Sequence, residues 1–267
     1  MNKFDVVITG GGLSGLVTAI MLRCNEFDGS IAVVEERSYP FRTNDDFVIT
    51  PIARVLFHNM PLYRKHNYCE GRYCIYNLIN EEYDLSFEMP DTAITGYSDF
   101  IYVLYEIAVN NGITIIQNTK ALDYNFEDKY VDTMCGNVYF GSLVIAEGSG
   151  KHFGKNVFCG SDIEKYNFSV NKLPAKIEPI NSENIIYVGD RGGYYDSLAD
   201  INCTFALISA YYAADVLSKG ESRNKYYENM KFVAKELEAI KILKNNAASF
   251  EFIKEILIGA RNYMSFL

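Results

Sequence analysis

An α/β fold opening with a β-α-β unit is predicted by three features of the first forty residues. A β-branched run from Phe4 to Thr9 ends in three successive glycines, Gly10 to Gly12. The chain then carries apolar residues at helical spacing (Leu13, Leu16, Val17, Ile20 and Met21), and a second short apolar strand follows at Ile31 to Val34. The glycine-rich turn therefore sits at a strand-to-helix junction.

Later elements follow from the same periodicities. From Arg37 to Pro51 the pattern is lost, and a long connection with charged and turn residues, functional or shaped by a ligand, is expected. Arg72 to Met89 reads as two strands around Asn80 to Glu82, a hairpin leaving the main sheet. Ser98 or Asp99 is placed to cap a helix that stops at Gly112. Strands are expected at about 113–117, 120–127, 129–133 and 136–146, then a less regular segment at about 150–183, then the short strand of "NIIYVGDRGG". A long helix from Ala199 to Lys219 ends at Gly220, and amphipathic helices are expected over roughly 222–245 and 247–265. In the last two, Ile240, Leu243, Phe250, Ile253, Leu257 and Ile258 either cover the body or form a homodimer seam.

Composition narrows the function classes. The chain has 267 residues, 49% of them hydrophobic, and a formal net charge of -9, which disfavours nucleic acid and anionic membrane surfaces as primary partners. The first apolar run is broken by Gly10 to Gly12, so it reads neither as a signal peptide nor as a membrane span, and a cytoplasmic location is expected. The six cysteines and three histidines are scattered without metal-ligand spacing, which points to buried thiols rather than a metal centre.

Gly10, Gly12 and Gly15 fit Gly-x-Gly-x-x-Gly. The first allows a tight turn, the second lets a diphosphate approach the backbone, and the third lets the helix pack closely on the sheet. The helix start offers unpaired N–H groups and a positive dipole end to phosphates. Glu35 ends the second strand, where a carboxylate accepts hydrogen bonds from both ribose hydroxyls of an adenosine and repels a 2'-phosphate. Dinucleotide binding is the expectation.

With "VVEER" closing the first unit, "VIAEGSG" at Val144 to Gly150 and "IYVGDRGGYYDSLADINCTFALISAYYAADVL" at Ile186 to Leu217, the chain resembles the FAD-dependent family that includes p-hydroxybenzoate hydroxylase and geranylgeranyl reductase. The resemblance is spread over most of residues 4–219, and its specific parts are the N-terminal fingerprint and the Gly-Asp element. It implies a Rossmann-like FAD-binding domain of the glutathione-reductase type (GR2) with a small β-rich substrate lobe and C-terminal helices. The expected division is 1–66, 98–150 and 184–220 for the FAD domain, 67–97 and 151–183 for a reduced substrate lobe, and 221–267 for the helices.

The resemblance also implies site residues. Gly10, Gly12, Gly15 and Glu35 would hold the ADP half of FAD, with Leu13, Ser14, Glu36 and Gly148 beside it. Gly189 and Asp190 match the Gly-Asp element, whose Asp hydrogen-bonds the ribityl chain. Arg37 or Arg42 either clamps the diphosphate or is a solvated surface residue. Two departures stand out: Ser197, Asp200 and Asn202 replace a Gly-rich turn near the flavin, and Glu147-Gly148 replaces Asp-Gly.

No serine triad, HExxH, Walker loop or carboxylate pair is apparent, so the flavin's own atoms carry the expected chemistry. Tyr194 and Tyr195 either line the flavin and donate a proton or are packing residues. The expected activity is reduction or dehydrogenation of a small or apolar organic substrate, with electrons from NAD(P)H or an external donor. Flavin monooxygenation is the second expectation, and a non-catalytic FAD-binding partner protein is the rival from a different class.

Overall fold

The computed structural model describes residues 2–41, 46–49, 53, 56–57, 69–70, 73–79, 84–90, 93–148, 156–159, 164–167, 185–194 and 202–245. The opening is as the sequence predicts: β1 (Asn2–Thr9), α1 (Leu13–Cys24) and β2 (Ile31–Val34). β1 and β2 pair in parallel, with Val6 opposite Ile31 and Thr9 opposite Val34.

These strands belong to a seven-stranded sheet. It also contains β8 (Thr114–Ile116), β9 (Ala121–Asn125), β10 (Tyr130–Thr133), β11 (Val138–Ile145) and β14 (Ile185–Tyr187). Its order is β8-β2-β1-β11-β10-β9, with β14 also pairing β11. The inner pairs run parallel, whereas β9 and β10 form an antiparallel extension on β11.

The inner strands are apolar where they are buried, at Val6–Ile8, Ile31–Val34 and Leu143–Ile145, because both faces are covered there. On one face Val6, Ile8, Ile31, Val33 and Val144 pack with α1, α2 (Tyr97–Asn110) and α3 (Asn202–Ser218). On the other, Val7, Val34, Leu143 and Ile145 pack with Ile185, Tyr187 and Val131, and with the partly buried Tyr124 and Phe126. All residues of α1 from Leu13 to Leu22 are buried. A helix enclosed on all sides has no need of a polar face; its sequence over Leu13–Leu22 is apolar apart from the small Ser14, Gly15 and Thr18, and the Thr18 hydroxyl donates to Ser14 O.

Two smaller sheets complete the described strands. β3 (Asp46–Ile49), β7 (Ala93–Gly96) and β4 (Cys69–Glu70) form one, in the order β3-β7-β4. β5 (Tyr73–Ile79), β6 (Asp84–Pro90), β12 (Asn156–Cys159) and β13 (Glu164–Asn167) form the other, in the order β13-β12-β5-β6. The β5-β6 hairpin pairs Ile79 with Asp84, as the strand pattern around Asn80 to Glu82 predicts.

Three local expectations are corrected. β3 lies inside the stretch expected to be a connection; pairing with β7 makes this four-residue segment a strand. α2 begins at Tyr97 with Gly96 as its N-cap, and neither Ser98 nor Asp99 occupies that position. The expected helix over 222–245 is two, α4 (Arg223–Asn229) and α5 (Lys231–Asn245), which meet at Met230. Met230 and Tyr226 are both buried, so the chain bends where apolar side chains reach the body. The helix expected at 247–265 lies outside the described residues.

Candidate functional site

The Gly-rich turn joins the carboxyl end of β1 to α1, the place where open parallel sheets bind ligands. Gly10 has φ +96°, and a Cβ there would lie 2.7 Å from the backbone carbon of Ala146. A Cβ on Gly15 would lie 1.9 Å from the Gly10 carbonyl oxygen. Both positions therefore exclude every other residue, one by conformation and space and the other by space alone. Gly12 is the N-cap of α1 in extended conformation and places no side chain over the helix start.

Glu35 is buried, at 4% exposure, beyond the end of β2. Its backbone is fixed by Glu35 N–H donating to Ile116 O and Thr119 N–H donating to Glu35 O, each at 2.9 Å. One carboxylate oxygen, Oε2, accepts the Gly11 N–H at 2.7 Å. The other, Oε1, accepts the Arg37 N–H at 3.0 Å and Nε–H at 2.9 Å. The guanidinium of Arg37 in turn stacks 3.7 Å above the Phe41 ring. Burial lowers the affinity of Arg37 for its proton, but its hydrogen bond to Glu35 and that residue's charge outweigh this and hold the guanidinium more firmly protonated.

Four aromatic residues close around the turn. The Tyr39 hydroxyl donates to Gly11 O, and its ring stacks on Tyr105 with centroids 4.4 Å apart. Phe41 lies 5.4 Å from Tyr39 and 6.3 Å from Tyr97. The Tyr97 phenol oxygen stands over the start of α1, 3.2 Å from where a Cβ on Gly12 would lie. Burial pushes the Tyr97 hydroxyl up to about 12, partly opposed by the Arg37 charge, and Asp190 and Glu35 also act on it.

The Gly-Asp element reaches the same place. Gly189 (φ +57°) opens a short 3-10 turn, Gly189–Gly192, after β14, and a Cβ on it would lie 2.7 Å from Ser14 Oγ. Its N–H donates to Oγ of the buried Ser209 on α3 at 2.9 Å, which pins the turn. On the β9 side, the Tyr124 hydroxyl donates to Glu147 Oε1 at 2.6 Å and lies 3.1 Å from Thr9 Oγ1. Burial, then the Glu147 charge, raises the Tyr124 hydroxyl well above its ordinary range.

The structure thus brings together Gly10, Gly12, Leu13, Ser14, Gly15, Glu35, Arg37, Gly189 and Asp190. Glu36 and Gly148 are exposed beside them. Asn202 begins α3, while Arg42, Tyr195 and Asp200 lie outside the described residues. Tyr194 is placed elsewhere: it is 6% exposed in the core, its ring edge-on to buried Tyr226 with centroids 6.3 Å apart. Gly193, at φ +77°, ends the 3-10 turn, and the next side chain packs inward. The Tyr226 hydroxyl donates to Tyr187 O at 2.8 Å, tying α4 to the sheet.

Structural comparison accords with this geometry. A geranylgeranyl bacteriochlorophyll reductase-like protein from Thermoplasma acidophilum superposes with a TM-score of 0.63 at 13% identity, over 88% of this chain and 84% of that one. CtdE, solved in complex with FAD, gives 0.64 at 12% identity, over 90% and 92%. A 2-methyl-3-hydroxypyridine-5-carboxylic acid oxygenase gives 0.62 at 12% identity, over 92% and 94%. The chain shares the fold of these three proteins. No protein-family model and no curated protein sequence matches it. Among the described residues, no helix is long and apolar enough to cross a membrane.

The buried tyrosines have a consequence at alkaline pH. Tyr97 and Tyr194 are both raised to about 12 from an ordinary 10, burial being the main cause. A raised phenol contributes stability that is complete below its unfolded pKa and is lost as pH climbs through its folded one. The thermal unfolding midpoint should therefore hold up to about pH 10 and fall between about pH 10 and 12, together with rising tyrosinate absorbance.

Proposed function

We propose that the chain is an FAD-dependent oxidoreductase acting on a small or apolar organic substrate by reduction or dehydrogenation. The observation that carries this reading is the joined turn: a Gly-rich helix start whose Gly11 N–H is held by a buried acidic residue at the end of the next strand.

The residues present fit the ADP half of FAD. The first N–H groups of α1, that of Leu13 among them, have no partner within the helix and are donors open to an acceptor at the helix start. Gly12 leaves the approach clear of a Cβ. Glu35 Oε2, which accepts only the Gly11 N–H, keeps a lone pair for a ribose hydroxyl, and the Gly11 and Arg37 bonds hold the carboxylate in place for it. Leu13 and Ser14 N–H groups, with the positive end of α1, would hold the diphosphate, and Asp190 would face the ribityl chain. FAD, when bound, supplies the two-electron redox chemistry.

The protein's own contribution is binding, orientation and electrostatics. Glu35 fixes the adenosine end, and Gly189, packed on Ser14, fixes Asp190 relative to the turn. NAD(P)H or an external protein supplies the electrons in this reading. Monooxygenation is the second reading, supported by the fold shared with the pyridine-carboxylic acid oxygenase.

The test is reduction of the FAD-loaded protein by NAD(P)H or dithionite under nitrogen, followed by a substrate screen with and without air. Turnover without oxygen supports the reductase reading, and turnover only in air supports monooxygenation. Bound FAD that no donor reduces would overturn both in favour of a non-catalytic FAD-binding partner protein.

A further inference from the structure

Successive glycines have the widest backbone freedom of any residues, so each peptide unit of the turn keeps one orientation only where something holds it. Gly10 N–H donates to Val34 O at 2.9 Å, Gly11 N–H donates to Glu35 Oε2 at 2.7 Å, and Gly12 O accepts the Leu16 N–H at 3.0 Å. The Gly11 carbonyl falls outside the helix ladder, and its partner is the Tyr39 hydroxyl. That hydroxyl therefore holds the peptide between Gly11 and Gly12. Tyr39 is itself anchored: its N–H donates to Gln117 Oε1 at 2.7 Å, its ring stacks on Tyr105 of α2 with centroids 4.4 Å apart, and Gln117 Nε2 donates to the Tyr105 hydroxyl at 3.2 Å. A Cβ on Gly11 would overlap the Tyr39 hydroxyl and stand 3.0 Å from Glu35 Cβ. The position that Gly-x-Gly-x-x-Gly leaves open is glycine here because Tyr39 occupies its space.

We propose that Tyr39 is a positioning residue that presents the Gly12 N–H to a diphosphate. This rests on reading the turn as a nucleotide site. The Gly11–Gly12 peptide is trans and planar, so its N–H points opposite to its carbonyl. With that carbonyl held on Tyr39, the Gly12 N–H faces away from the tyrosine, and it makes no hydrogen bond within the described residues. It joins the first N–H groups of α1 as a donor to phosphate oxygens. Without the hydroxyl, a peptide flanked by glycine on both sides samples further orientations, and ordering it on binding costs affinity. Tyr39 acts through the backbone: its one hydroxyl proton goes to Gly11 O, which leaves none to donate to the ligand.

The experiment compares the whole wild-type chain with Tyr39→Phe, titrating ADP and adenosine separately by calorimetry, with circular dichroism and thermal unfolding as the check on folding. The Gly12 amide is also followed by nuclear magnetic resonance in ligand-free protein carrying isotope-labelled glycine. The expected result is ADP binding weakened roughly two- to tenfold, the worth of one neutral hydrogen bond, with adenosine affinity unchanged because adenosine carries no phosphate. The Gly12 amide signal should broaden or split in Tyr39→Phe, while that of Gly15, inside the helix, keeps its shape. Unchanged or tighter ADP binding overturns the proposal, as does an equal loss for adenosine, which marks a general loosening of the site. Weaker ADP binding with an unaltered Gly12 signal also overturns it, the hydroxyl then acting on the ligand directly. Should Tyr39→Phe fail to fold, Tyr39→Leu, which also lacks the hydroxyl, is measured with the same expectations; failure of both makes the hydroxyl a clasp of the fold and overturns the positioning role. Absence of ADP binding to the wild type would overturn the nucleotide-site reading itself, and the positioning role with it.

Discussion

Gly15→Ala should destabilise the protein by about 3 kcal/mol or more and abolish binding of ADP and FAD. The added Cβ would stand 1.9 Å from the Gly10 carbonyl oxygen, 3.1 Å from its carbon and 3.3 Å from Ala146 Cβ. The nearest obstacle is backbone, so no side-chain rotation relieves it. Either α1 withdraws from β1, or the turn around Gly10 opens. The first movement is resisted by the closed packing of Leu16, Val17 and Ile20 against the sheet. The second would strip the turn of the Gly11–Glu35 bond. Chemical denaturation measures the stability change and calorimetry the binding; wild-type stability in this variant would mean that α1 is not seated on β1 as described.

The second large effect concerns Glu35. Glu35→Ala should weaken ADP binding roughly ten- to a hundredfold, since one charge-assisted hydrogen bond to a ribose hydroxyl is worth about 1.5–3 kcal/mol. The substitution also leaves the Gly11 N–H without its acceptor and releases Arg37, which is 39% exposed and regains solvent readily. A modest stability loss of about 1–3 kcal/mol is expected from the orphaned amide. Loss of stability without loss of nucleotide affinity would reduce Glu35 to a structural clasp of the turn.

The part of the site made by local chain geometry was legible in the sequence. Gly10, Gly12 and Gly15 repeat at the spacing a strand-turn-helix requires, and Glu35 falls at the end of a four-residue strand whose length is unambiguous. The link between Gly189 and Ser14 was implied only through the resemblance to flavoproteins, because nothing in periodicity relates two turns so distant in sequence. The ring of Tyr39, Phe41, Tyr97 and Tyr105 left no signal of its own. In a chain with 21 tyrosines, a residue that meets the turn across space looks like any that packs on a half-buried face. Tyr194 shows the reverse: its place after "GDRGG" suggested the ligand, yet the left-handed Gly193 precedes a side chain packed in the core.

Secondary structure was misread where tertiary pairing overrides local preference. β3 is four residues long within a polar stretch, and only β7 across from it defines it as a strand. The break at Met230 interrupts a continuous amphipathic pattern because Tyr226 must reach Tyr187. The fold itself was predictable because β2 and the carboxyl-terminal halves of β1 and β11 are short apolar runs, which call for cover on both faces of a parallel sheet.

The central claim is that this turn holds FAD. The measurement that tests it most directly is identification, by mass and visible spectrum, of the cofactor released from the purified protein before and after incubation with FAD. The account predicts one FAD per chain that is retained through gel filtration by wild type and lost in Glu35→Ala. A wild-type protein that emerges without FAD even after reconstitution, and that also fails to bind ADP, would contradict it.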